Sequence, residues 1–112
     1  MPKPPLEKVI QRQVKGVYKA FGCIIYDFSQ PRASMQTPGI PDLLILHLDS
    51  RTHWYMEVKR GKGAAYKQSQ PQLDFDRDIT WCGGRYVLGG VEEAYEALRT
   101  IAGVKIADRD IP

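Results

Sequence analysis

Gly39-Ile40-Pro41-Asp42-Leu43-Leu44-Ile45 and Trp54-Tyr55-Met56-Glu57-Val58-Lys59 place two acids and a lysine in or beside runs that otherwise read as buried strands. Burying such groups costs several kcal/mol unless a partner compensates them. The natural partner for two inward carboxylates is a divalent cation. Whether Asp42 and Glu57 can share one depends on the segment that joins them.

Asp49-Ser50-Arg51-Thr52 lies between them and reads as a hairpin turn joining strands 41–47 and 53–59. A four-residue loop at 49–52 would pair residue 44 with 57 and 42 with 59, setting Asp42 opposite Lys59 and diagonal to Glu57. Diagonal neighbours on one face sit ~7–8 Å apart at the backbone, close enough for two carboxylates to share an ion. Alternation puts Tyr55, Glu57 and Lys59 on one face and Trp54, Met56 and Val58 on the other. A slip of one residue would separate Asp42 from Glu57. The plainer reading is that Asp42 caps a turn after Pro41 and that Glu57 and Lys59 form a surface ion pair.

Leu6, Ile10, Val14, Val17 and Phe21 recur at helical spacing, with Gly22 as a stop. Cys23 to Tyr26 reads as a short strand and residues 29–39 as a loop. After the Gly/Lys-rich stretch 60–67, Ser69 opens a helix running to about Trp81, with Pro71 in its first turn and Gly83-Gly84 at its end. A strand at 85–88, the Gly89-Gly90 turn and a helix over 91–101 follow; the tail has little pattern and is expected to be loosely held. The order α-β-β-β-α-β-α implies a small α/β sheet flanked by helices. At 112 residues this suits a single domain, 1–112, with its core over about 6–102.

The net charge of +3 is unevenly spread. Residues 1–19 and 51–67 each carry five Lys/Arg against one Glu, whereas 91–112 carry three bases and five acids. Positive charge near the candidate site suits a polyanion. No stretch approaches the ~20 apolar residues of a membrane span. The N-terminus has no signal-peptide pattern. Cys23 and Cys82 form no CxxC pair and are expected to be buried and reduced, which speaks against a zinc site or disulfide framework.

Hard oxygen ligands such as Asp42 and Glu57 suit Mg²⁺ or Mn²⁺. Such an ion polarises a phosphoryl oxygen and lowers the pKa of a bound water. Lys59 would hold that water or stabilise developing negative charge. Arg60, Lys62 and Lys67, with Gly61 and Gly63 between them, suit a phosphate-tracking loop, and Arg32 and Thr37 lie in the loop before Asp42. His47 and His53 are lone histidines near strand ends and are not expected to bind metal. Tyr66 and Trp81 read as packing or interface residues. Ser29 and Ser34 lie near no base, so a serine hydrolase is unsupported.

Pro41-Asp42 followed by Glu57-Val58-Lys59 resembles the signature of the PD-(D/E)XK nuclease superfamily. Gly39-Ile40-Pro41-Asp42-Leu43, Glu57-Val58-Lys59-Arg60, Ser69-Gln70-Pro71-Gln72, Gly83-Gly84-Arg85-Tyr86-Val87 and Val91-Glu92-Glu93-Ala94 together resemble its virus-type replication–repair (VRR-NUC) family. The likeness runs from about Leu6 to Leu98. It implies a restriction-endonuclease-like αβββαβ core and a Mg²⁺- or Mn²⁺-dependent nuclease. Asp42 and Glu57 would be metal ligands with the Val58 carbonyl, and Lys59 the catalytic lysine.

Gln72 matches a family glutamine that orients the lysine or touches the scissile phosphate, although Ser69-x-x-Gln72 also reads as a capping box. Glu7 matches a helix-one glutamate that approaches the metal in related resolvases, or serves only the helix dipole. Stand-alone phage members resemble Holliday-junction resolvases and act as homodimers. The chain looks like that kind: a phage or prophage protein in the bacterial cytoplasm, cutting branched DNA by shape. Flap-, nick- or end-directed cleavage, and a non-catalytic DNA-binding module, are the rival readings.

Overall fold

A computed structural model describes residues 6–29, 37–60 and 67–111. The first helix, α1, spans Glu7–Ala20, with Leu6 as its N-cap. Its buried stripe is Ile10, Val14 and Tyr18. Tyr18 thus takes a central place that the apolar spacing did not give it, while Leu6 is left 56% exposed. A buried hydroxyl needs partners. Tyr18 Oη accepts from Trp54 Nε1 at 3.1 Å and donates to Met56 Sδ at 3.3 Å. The Tyr18 and Trp54 rings meet edge to face at 5.7 Å.

Three strands follow, β1 (Cys23–Asp27), β2 (Leu43–His47) and β3 (Thr52–Val58). A second helix, α2 (Gln70–Trp81), crosses over to β4 (Tyr86–Gly89), and α3 (Val91–Thr100) closes the core. The sheet order is β1-β2-β3-β4, with β1–β2 and β2–β3 antiparallel and β3–β4 parallel. The αβββαβ order expected from the sequence is present, followed by α3.

The sheet has unequal faces. Leu43, Ile45, Trp54, Met56 and Val58 point into one core with α1 and with Ala94, Ala97 and Leu98 of α3. On the other face Phe75 of α2 packs edge to face on Tyr55 at 5.1 Å and lies 6.1 Å from Tyr86. No residue of α2 is buried. At the opposite edge of this face, Ile24 and Tyr26 of β1 remain 43% and 54% exposed.

The hairpin differs from the expected register by two residues. Leu44 pairs with Tyr55 and His47 with Thr52, so the turn is 48–51 rather than 49–52. Its cause is local. Ser50 Oγ bonds His47 Nδ1 at 2.7 Å and Thr52 Oγ1 at 2.6 Å, and Arg51 adopts a positive φ of 57°. An even shift keeps every side chain on its face. Asp42, just before β2, therefore faces Glu57 directly instead of diagonally.

Two further expectations are corrected. Cys23 is buried but Cys82, at the end of α2, is exposed; both are free. The C-terminal tail is held: Arg99 Nη2 donates to the Ile106 carbonyl at 2.6 Å and to Asp108 Oδ1 at 2.8 Å. Val104 and Ile106 pack against the core.

Candidate active site

Asp42 is fixed through its backbone as well as its side chain. Its carbonyl accepts from Phe28 N–H at 2.7 Å, which ties it to the end of β1. Its N–H donates to Glu57 Oε1 at 3.2 Å, and its Oδ2 accepts from Val58 N–H at 2.9 Å. Glu57, near the end of β3, is 4% exposed. Glu57 Oε2 accepts from Gln72 Nε2 at 3.0 Å and lies 3.6 Å from Lys59 Nζ. Lys59 continues the strand, its N–H donating to the Gly89 carbonyl at 2.9 Å.

Glu7 opens α1 at the same end of the sheet. Carboxylate oxygens of Glu7, Asp42 and Glu57 lie within 4.8 Å of one another. Such a set offers only hard oxygen donors, and Lys59 supplies one positive charge against three acids. That composition fits a divalent cation of the Mg²⁺ or Mn²⁺ type. Burial first, and then the adjacent Asp42 charge, pushes the Glu57 carboxyl up to about 7, with Lys59 opposing. Burial also raises Asp42, and the nearby Glu7 adds to it, against the Val58 N–H and Lys59. Burial thus disfavours the charged form of both acids and the neighbouring carboxylates add to it; a cation would favour the ionised pair.

Gln72 forms the expected capping box, and its other contact is with Glu57 rather than Lys59. Its Oε1 accepts from Ser69 N–H at 2.9 Å, while Ser69 Oγ accepts from Gln72 N–H at 3.4 Å, forming the capping box of α2. Its amide NH₂ is thereby turned to Glu57. The α2 N-terminus is in turn seated on the loop before Asp42. Gly39 has a φ of 91°, and a Cβ there would lie 2.3 Å from the Pro71 carbonyl oxygen. Only glycine permits that approach.

Tyr86, which the sequence reading did not single out, stands near this cluster. Its hydroxyl accepts from Gln68 Nε2 at 3.2 Å, and burial, followed by the Glu57 charge, raises its pKa. A tyrosine in a short strand gives no sequence signal of such a position. His47 is engaged by Ser50, as expected of a structural histidine. Ser29 Oγ donates to Asp27. Trp81, 90% exposed, has no packing role among the described residues. Thr37, Arg60 and Lys67 are exposed, and among the described residues nothing bonds their side chains to the cluster. Arg32 and Lys62, and likewise Ser34, Gly61, Gly63 and Tyr66, lie outside the described residues.

A mixed four-stranded sheet with helices on both faces and acids at the ends of β2 and β3 is a PD-(D/E)XK-like α/β architecture. Among solved structures, the chain is similar to a VRR-NUC domain, with a TM-score of 0.65 and 23% identity over 84% of this chain and 95% of that one. The fold is therefore that of a VRR-NUC domain. No protein-family model and no curated protein matches the chain. No helix among the described residues is long and apolar enough to cross a membrane.

Proposed function

We propose that this protein is a divalent-metal-dependent nuclease that hydrolyses DNA phosphodiester bonds, with branched DNA as its substrate. The observation that carries this reading is the convergence of Glu7, Asp42 and Glu57 within 4.8 Å, beside Lys59, on a nuclease fold. Asp42, Glu57, Glu7 and the Val58 carbonyl would hold the cation. When bound, the cation polarises the phosphoryl oxygen and makes water a better nucleophile. Lys59 orients the attacking water or stabilises the charge that develops on the phosphate. In the hydrolysis the water oxygen bonds to phosphorus, the P–O bond to one nucleoside breaks, and the leaving oxygen takes up a proton.

Gln72 is a positioning residue, since it acts through Glu57. Gln72→Ala should remove half the capping box, costing about 1 kcal/mol. It should also lower cleavage by roughly 10–100-fold, as loss of an outer-shell partner does. Gln72→Glu keeps a box acceptor but sets a second carboxylate against Glu57, so cleavage should fall while the melting temperature stays near the parent's. If Gln72→Ala lowers the melting temperature alone, the residue is only a cap.

A homodimer fits the reading. Leu73 and Trp81 of α2, a helix with no buried residue, and Ile24 and Tyr26 of β1 on the same sheet face are exposed and leave apolar surface for a second copy. Two-fold pairing would present two sites to two strands. The test is a cleavage panel of four-way junctions, flaps, nicked and linear duplexes in Mn²⁺, with light scattering alongside. Paired symmetric nicks near the branch point by a dimer are expected. Trimming from ends or flaps, or a monomer in solution, would redirect the reading to the other substrates of the same fold.

A further inference from the structure

The face of α1 next to Glu7 carries a feature that the hydrolytic site does not use. Lys8, Gln11, Arg12 and Lys15 follow one another at helical spacing and line an open cleft of about 490 Å³ that begins at Glu7. The far wall is built by the end of β1. Asp27 accepts from Lys15 Nζ and from the Ser29 N–H and hydroxyl, and Ser29 Oγ accepts from Gln11 Nε2 at 2.6 Å. These bonds hold the wall against the helix. They also occupy the charge of Lys15 with that of Asp27.

The remaining ionic groups in the cleft are Glu7, Lys8 and Arg12. Glu7 is turned to the carboxylate cluster, whereas Lys8 and Arg12 are exposed and make no hydrogen bond or ion pair among the described residues. Two unmatched cations thus line a groove whose one end is the candidate metal cluster. We propose that this cleft is the track of the nucleic-acid backbone next to the cleaved bond, with Lys8 and Arg12 each neutralising a phosphate. The proposal rests on the nuclease reading for its direction. It puts phosphate-binding residues on α1, in addition to those that the sequence suggests over 60–67.

Contacts of this type are sequence-independent and salt-dependent, with the log–log salt slope falling by about one for each phosphate contact removed. The test is binding of fluorescently labelled branched and duplex DNA by anisotropy in Ca²⁺, over a series of salt concentrations. The proteins are the parent, the double variant Lys8→Gln with Arg12→Gln, and Lys105→Gln as a control on the opposite charge region. Both cleft residues are exposed, so circular dichroism should show an unchanged fold. The double variant should bind at least roughly 10-fold more weakly at low salt, with a slope smaller by about two, and Lys105→Gln should match the parent.

If the parent binds and the double variant binds equally with the same slope, the cleft is not the track, and the nuclease reading stands. If the double variant loses binding but the parent cuts no DNA in Mn²⁺, the track stands and the nuclease reading falls. A parent that binds no DNA overturns both.

Discussion

Glu57→Gln is expected to lower metal-dependent DNA cleavage by at least roughly 10³-fold, more than the 10–100-fold typical of an outer-shell loss. The substitution keeps the shape of the side chain. An amide oxygen can still accept from Asp42 N–H, the bond now made by Glu57 Oε1 at 3.2 Å. The variant loses one of the three carboxylates that meet within 4.8 Å, and with it the charge facing Lys59 Nζ at 3.6 Å. Single-turnover rates in Mn²⁺, with equilibrium dialysis for the metal, separate lost binding from lost chemistry. A variant that cuts as fast as the parent would remove Glu57 from the active site.

Stability in chelator is expected to fall as pH rises from about 5 to about 8. Glu57 sits at about 7 in the fold against an ordinary value of 4.5. Between those values the folded chain holds a proton that the unfolded chain has released. The stabilisation is complete below about 4.5 and is lost as pH climbs through about 7. A shift of that size corresponds to roughly 3 kcal/mol at about 1.36 kcal/mol per pH unit. The Glu57 side chain is 5% exposed, so solvent screens it little. Asp42 is shifted in the same direction, by burial first.

A divalent cation binds the ionised carboxylates and takes the place of the proton, so Mn²⁺ should restore stability at the alkaline end. Urea titrations at both pH values, with Mn²⁺ and with chelator, read this directly. Glu57→Gln should flatten the pH dependence in chelator and weaken the response to Mn²⁺. A parent whose stability is flat with pH and indifferent to Mn²⁺ would contradict a charged metal-binding cluster.

The periodic elements were readable because their signals are local. Ile10 and Val14 mark α1 by spacing, Ser69-x-x-Gln72 marks the start of α2, and Gly83 and Gly89-Gly90 bound β4. The hairpin register was not readable. It depends on Ser50 reaching His47 and Thr52 and on Arg51 adopting a positive φ, which the hydrophobic pattern does not encode. The juxtaposition of Asp42 and Glu57 survived because a two-residue shift preserves the face. Tyr18 carries no apolar signal of its own, and its hydroxyl is accommodated in the core only because Trp54 and Met56 supply partners. The tail looked unpatterned because Arg99 holds it through a carbonyl and a distant aspartate.

At the site, the Asp42, Glu57 and Lys59 grouping was legible from acids and a base in apolar strands. The position of Glu7 was open, since a first-turn glutamate has a local explanation, and only the tertiary fold brings it to the other two. The capping-box spacing of Ser69 and Gln72 is legible in the sequence, whereas only the fold shows that opposite ends of one amide serve Ser69 and Glu57.

The most direct measurement is cleavage of four-way-junction DNA by the parent protein in Mn²⁺, in chelator, and by Glu57→Gln in Mn²⁺. Strand scission in the first case alone is the predicted result. No scission in Mn²⁺, or scission that persists in chelator or in the variant, would contradict a metal-dependent nuclease centred on Glu7, Asp42 and Glu57.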